Sequence, residues 1–178
     1  MNLRALTPTR SADRPDLDRD NADVSSTVAP PDQRTARRRL VTRILSYLLR
    51  LVVVACLAID AYVHFHLAHD YDPIRASVSQ GTLFRYEATA AIVAGVLLLI
   101  TGRTFAWIFA FLVLAAGFAA VMTYQYVDIG AFGPFPEMYD PYWTFEKGLS
   151  VVAEGVGAVL AGGMVLVRLR AWWQSRNA

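Results

Sequence analysis

The amino-acid sequence predicts an all-α integral membrane protein, a four-helix bundle preceded by a disordered N-terminal tail. The chain has 178 residues, of which 55% are hydrophobic and only 18% are charged, which is apolar for a soluble domain. The charges are also segregated, because residues 1–40 hold eight arginines and six aspartates and most later charges lie between long apolar runs. Four of these runs are near the roughly 20 residues that a helix needs to cross a bilayer.

The tail is predicted to cover residues 1–40. Residues 1–36 contain no aromatic residue and no apolar periodicity, so they bury too little surface to offset the entropy of an ordered chain. Arg37, Arg38 and Arg39 precede an apolar run, as in a signal peptide. The apolar sequence continues beyond Arg50 and Cys56, which favours a permanent first helix over a cleaved leader.

Residues 41–178 are predicted to form one domain with helices at about 42–67, 85–101, 104–126 and 148–167. A bilayer requires closed backbone hydrogen bonding, and these runs lack the alternation of barrel strands, so helices are expected. Gly102-Arg103 predicts a tight turn, whereas the two other connections are long and rich in aromatic, Pro and Gly residues. We expect Trp107 and Trp172 in the interfacial aromatic belt.

The arginines predict the orientation. They cluster before the first run, at the short turn and after the fourth run, whereas acidic residues dominate the two long connections. The positive-inside rule then places both termini in the cytoplasm. Sixteen of the seventeen basic residues are arginine, whose codons are GC-rich, so we expect a multi-pass protein of a bacterial plasma membrane.

The same charges limit the partners. A net charge of +2 is too small and too segregated to indicate nucleic acid. The expected partners are the lipid bilayer and either another membrane protein or a second copy of the chain.

Helical periodicity predicts a polar pocket in the outer half of the bundle. Asp60 and His64 are four residues apart and share one face of the first helix, close enough to pair. Glu87 and Glu154 share their faces with alanines and glycines, which favour close helix contacts in lipid. Because charged groups inside a membrane normally face the bundle interior, these four residues are expected to meet. Two basic residues are expected at its possible rim: Lys147 and Arg85.

Three interpretations of the pocket stay open. It can be an interhelical hydrogen-bond cluster that fixes the packing. It can be a site for a small molecule, a quinone or protons. It can also be a metal site using His64 and Asp60 with the other carboxylates, although no HxxxH or ExxH spacing supports this. Bis-histidine haem ligation is disfavoured, because all three histidines lie at the end of one helix.

No motif assigns a reaction or a cofactor. The sequence has no GxGxxG, Walker loop, GxSxG or CxxC pattern, and its single Cys56 excludes an intrachain disulfide. We therefore expect a non-enzymatic protein, a structural or accessory component of the membrane.

A resemblance supplies the alternative function. The residues Val63-His64-Phe65-His66-Leu67, Tyr71-Asp72-Pro73-Ile74 and Gly81-Thr82-Leu83-Phe84, followed by an Ala-rich helix, resemble small four-helix membrane proteins of high-GC Gram-positive bacteria. The layout over residues 42–170 is similar to the DoxX-like group, some of whose members are linked to quinone-coupled redox systems. The resemblance implies a redox or small-molecule-handling protein that uses the polar pocket for a quinone, protons or a metal.

Overall fold

The computed structural model describes residues 33–177 as four α-helices joined by three connections. The helices are α1 (Gln33–Leu67), α2 (Gln80–Thr101), α3 (Thr104–Tyr126) and α4 (Phe145–Arg176). Over the described range the only extended pairing is two isolated backbone bridges in the loops. All four helices are long and apolar enough to cross a membrane, and their most apolar stretches have mean hydropathies of 1.8 to 2.4. The predicted all-α, four-helix fold class is confirmed.

Three of the four described helices extend beyond the apolar runs that predict them, whereas α3 has the predicted bounds. α2 begins five residues before the predicted start and α4 three residues before, because polar side chains cap their first turns. Ser79 Oγ accepts the backbone N–H of Thr82 at 3.1 Å, and Thr144 Oγ1 accepts that of Lys147 at 3.2 Å. Hydropathy marks the part of a helix that faces lipid and does not mark the capped turns outside it.

The predicted tail, 1–40, falls mostly on residues 1–32, which lie outside the described residues. From Gln33 onward the chain belongs to α1, so the described part of the predicted tail is helical. The chain divides into two compact units after Thr42, within α1. The helix packing, the loops and the cavity described next all lie in the second unit, Arg43–Ala178.

Small residues bring the helices of this unit together. A methyl group added to Gly157 of α4 would lie 2.7 Å from Leu114 of α3 and 3.0 Å from Cys56 of α1. Gly155 likewise faces the ring of Phe118 at 3.2 Å. Such close contacts are how helices associate in lipid, where hydrophobic burial supplies no driving force between them.

Two side chains lie near the Arg103 turn, one in the core and one at a helix end. Trp107, expected at the membrane interface, is 1% exposed and belongs to the core. The Arg50 guanidinium donates to the carbonyl oxygens of Leu98 and Leu99, each at 2.5 Å, in the last turn of α2. Those carbonyls are the groups that a helix end leaves without full hydrogen bonding, so a side chain of α1 caps α2.

The loop between α1 and α2 is organised around Asp72. Its carboxylate accepts two hydrogen bonds from Arg85, at 2.8 and 2.6 Å, and one from Ser79 Oγ at 3.2 Å. Gly81 lies directly beneath it, and a methyl group there would collide with the Asp72 carboxylate and the Ala68 carbonyl oxygen. Asp72, Ser79, Gly81 and Arg85 therefore hold this loop against the start of α2.

We expect the Asp72–Arg85 pair to make stability depend on pH. Hydrogen bonds from Arg85 hold the pKa of Asp72 at about 2, below its usual 3.8. A lowered carboxyl pKa stabilises the fold above pH 4, and this contribution is lost as the pH falls toward 2. Asp72→Asn should lower the thermal midpoint at pH 7 and flatten its decline between pH 5 and pH 2, as measured by circular dichroism in detergent. Glu137→Gln, which removes a charge from an exposed loop position, is the control. If the thermal midpoints of wild type and Asp72→Asn fell in parallel between pH 5 and pH 2, the role of the Asp72–Arg85 pair would be contradicted.

Candidate functional site

Three of the four predicted pocket residues come together between α1 and α4. Asp60, His64 and Glu154 each offer an oxygen or nitrogen atom within 4.8 Å of those of the other two. Asp60 and Glu154 are 0% exposed and His64 is 8% exposed. Glu87 approaches the same place from α2, because its Oε1 and Glu154 Oε1 flank one residue of α3.

Asp60 and His64 are one helical turn apart and touch. His64 Nδ1 lies 2.8 Å from Asp60 Oδ1 and 3.0 Å from the Asp60 carbonyl oxygen. The hydrogen-bond geometry is satisfied at the carbonyl, so the carboxylate contact is a close charge contact and not an aligned hydrogen bond. Because a carbonyl oxygen only accepts, Nδ1 carries a proton in this arrangement. The edge of the His64 ring packs against Phe84, with centroids 5.1 Å apart.

Glu154 is oriented by its own helix and by a glycine opposite. Ser150, one turn earlier, donates its hydroxyl to Glu154 Oε1 at 2.9 Å. On α3, a methyl group added to Gly117 would lie 2.9 Å from Glu154 Oε1 and 3.2 Å from Glu87 Oε1. The missing side chain of Gly117 therefore provides the space in which the two carboxyl groups approach.

Several oxygen atoms of this cluster are buried and unpartnered. Among the described residues, no hydrogen-bond donor is directed at either carboxylate oxygen of Asp60, at Glu87 Oε1 or at Glu154 Oε2. A buried polar atom without a partner costs roughly 1–3 kcal/mol, and more when it is charged. The cluster thus has unused capacity to accept protons or to bind a cation.

A cavity of about 320 Å³ lies between this cluster and the loops. Its base includes His64, Glu87 and Ser150, and its walls are mainly apolar, with Leu67 and Phe84 among them. Polar residues from the ends of the helices and from both long loops surround the opposite side: Tyr71, Gln80, Tyr124, Gln125, Asp140, Thr144 and Lys147. Burial raises the pKa of Tyr71, with a further contribution from Asp140, so its hydroxyl remains a donor at neutral pH.

The two residues expected at the rim are placed differently from each other. Lys147 lines the cavity and fastens the loop between α3 and α4, donating to Asp140 Oδ2 at 2.8 Å and to Gln125 Oε1 at 3.1 Å. Arg85 is not among the cavity-lining residues, because its guanidinium is bound to Asp72. His66, on the opposite face of α1, is exposed and stacks on Tyr62.

Sequence reasoning did not single out Gln125 or Asp140 as site residues. Gln125 is 4% exposed, accepts from Lys147 and donates to the Pro141 carbonyl at 2.6 Å. A polar residue at the end of an otherwise apolar run indicates a specific hydrogen-bond partner, so the sequence did contain a signal for Gln125. Asp140 lies in an irregular loop, where no periodicity indicates which way a side chain points.

No protein-family model matches this chain, and no match is found among curated proteins or solved structures.

We expect Gly117→Ala to destabilise the protein. Alanine normally stabilises a helix relative to glycine by roughly 0.5–1 kcal/mol. Here the added methyl group would press on Glu154 Oε1, which Ser150 holds in place, and overpacking of this kind costs about 1–3 kcal/mol. The thermal midpoint in detergent should fall by a few degrees. Gly163→Ala is the matched control, since nothing lies within 4 Å of its added methyl group; equal midpoints for both variants would contradict the tight approach of the carboxyl groups.

Proposed function

We propose that this membrane protein binds a small amphiphilic molecule in the cavity between its helices and its two long loops. The observation that carries the proposal is the cavity: about 320 Å³ of space, apolar along its walls, that ends on His64 and Glu87. Small-molecule sites typically begin at roughly 300 Å³ and combine a mostly apolar lining with a few fixed polar groups.

The polar groups of the cavity favour a ligand that donates hydrogen bonds. Glu87 Oε1 is a buried acceptor without a donor among the described residues, and Glu87 lines the cavity. Lys147 is already engaged by Asp140 and Gln125, so it is poorly available to an anionic ligand. A ring compound with hydroxyl groups, such as a quinol head group, fits both conditions. The similarity in layout to the DoxX-like group, some of whose members are linked to quinone-coupled redox systems, would imply the same ligand class.

An accessory role is the second candidate. The loop between α3 and α4 exposes large aromatic side chains, with Phe132 73% and Tyr142 76% exposed. Such residues suit contact with lipid head groups, with another membrane protein or with a second copy of the chain. Under this proposal the carboxyl groups of the pocket only fix the helix packing, and their neutralisation changes stability without removing any ligand-dependent effect.

We place the protein in the bacterial plasma membrane with both termini in the cytoplasm. Arg103 at the short turn and Arg168 and Arg170 near the end of α4 lie at one end of the helices, and Asp70 and Asp128 follow the other ends. The positive-inside rule supports this orientation, in which the cavity opens toward the outer face.

A quinol should stabilise the protein through the cavity. In chelator-treated protein in detergent, saturating decylubiquinol is expected to raise the thermal midpoint by about 5 °C or more. Glu87→Leu, which removes the acceptor, and Ala120→Phe, which fills the cavity, should abolish this rise. Ala119→Phe, at an exposed neighbouring position outside the lining, should retain it. A rise that persists in Ala120→Phe, or no rise in wild type, would overturn the proposal.

Cysteine labelling should test the orientation. In a Cys56→Ser background, Ala131→Cys in the α3–α4 loop should react with a membrane-impermeant maleimide on intact bacterial cells. Ser175→Cys, near the end of α4, should react only after the cells are lysed. The reverse pattern would place both termini outside and contradict the arginine-based assignment.

A further inference from the structure

The geometry points to a divalent transition-metal site formed by Asp60, His64 and Glu154, at the base of the cavity. This inference goes beyond the proposed small-molecule binding, because it concerns the residues beneath the cavity and needs no organic ligand. A cation bound here would contact the buried oxygen atoms that have no hydrogen-bond donor in the described part of the chain.

The arrangement of the donor atoms supports the site. One atom from each of the three side chains lies within 4.8 Å of the other two. Around an ion with bonds of roughly 2.0–2.1 Å, tetrahedral ligand atoms lie about 3.3 Å apart. Small side-chain rotations would close the difference. His64 Nδ1 and Asp60 Oδ1, at 2.8 Å, would move slightly apart, and the ion would replace the proton on Nδ1.

The unsatisfied oxygen atoms are an independent observation. Asp60 and Glu154 are both 0% exposed, yet both Asp60 oxygens and Glu154 Oε2 have no directed donor in the described part of the chain. Ser150 occupies only Glu154 Oε1, which leaves Oε2 available as a ligand. A hydrogen bond to the carboxylate oxygen that does not bind the ion holds a metal-binding carboxylate in position.

The acidic side chains at the cluster outnumber the basic ones, which favours binding of a cation. Three acidic residues, Asp60, Glu87 and Glu154, converge here. The basic groups closest along the chain are bound elsewhere, Lys147 to Asp140 and Arg85 to Asp72. His64 is thus the basic side chain in contact with the cluster over residues 33–177. Burial makes ionised carboxyl groups costly unless a proton or a cation neutralises them, and a divalent ion would take the place of the protons on two of them.

The ligand types indicate the class of ion. Imidazole nitrogen suits Zn²⁺ and Fe²⁺ better than Mg²⁺ or Ca²⁺, which prefer oxygen ligands throughout. His64 and Ser150 also line the cavity, so an ion can reach the cluster through it. Glu87 or a water molecule is available for the remaining coordination position.

Metal titration without any organic ligand tests the inference. The full-length protein, purified without a polyhistidine tag and stripped with a chelator, is titrated with Zn²⁺ by calorimetry and with Co²⁺ by visible absorption. We expect one ion per chain and the d–d bands of Co²⁺ bound to nitrogen and oxygen ligands. His64→Ala and Glu154→Gln should weaken Zn²⁺ binding by about 100-fold or more. Mutation of residues that only hold a metal ligand in place already lowers metal affinity by about 10–100-fold. His66→Ala, an exposed histidine on the same helix, should bind like wild type.

A stability measurement separates metal binding from simple packing. In chelator, Glu154→Gln should be at least as stable as wild type, because it removes one of the converging negative charges. Zn²⁺ should raise the thermal midpoint of wild type and leave that of Glu154→Gln unchanged. Equal Zn²⁺ affinity in wild type and Glu154→Gln would overturn the site, as would an equal loss of binding in His66→Ala. Failure of the quinol experiment alone would leave this result unaffected, because no quinol is present.

Discussion

The burial of carboxyl groups between apolar helices is the constraint on which the rest of this structure depends. Asp60 and Glu154 are fully inaccessible to solvent, and Glu87 approaches them from a third helix. Ionisable groups placed inside a membrane-length bundle are costly, and the cost falls when they face one another and find partners. The helices surrounding them are apolar enough to cross a bilayer, so the bundle interior is the only place in these segments where such groups can be accommodated.

Neighbouring residues give the carboxyl cluster space, orientation and few positive charges. Gly117 leaves room for two carboxyl groups at one point of α3, and Ser150 orients one of them with a hydrogen bond. Arg85 and Lys147 are held by loop aspartates, so they organise the loops. Within residues 33–177, His64 is the basic side chain that contacts the cluster, through Asp60. The result is a concentration of acceptor atoms beneath a cavity of ligand size.

The cavity and the cluster suggest a division of chemical roles. Apolar walls and the buried Oε1 atom of Glu87 suit an amphiphilic hydrogen-bond donor, whereas the deeper atoms of Asp60, His64 and Glu154 suit a divalent ion. His64 belongs to both, since it lines the cavity and touches Asp60. The two proposals are experimentally separable because each has its own probe and its own variants.

The number of helices, the membrane-length spans and the faces that carry Asp60, His64 and Glu154 can be predicted from the amino-acid sequence. This is possible because lipid permits few backbone conformations and because a helix repeats every 3.6 residues. Which faces meet, and how the irregular segments fold, depends on tertiary contacts. Helical periodicity does not predict that Arg85 forms an ion pair with Asp72 instead of lining the cavity, or that Trp107 is buried in the core. Those outcomes depend on contacts between residues from different segments, which the local pattern of one segment does not encode.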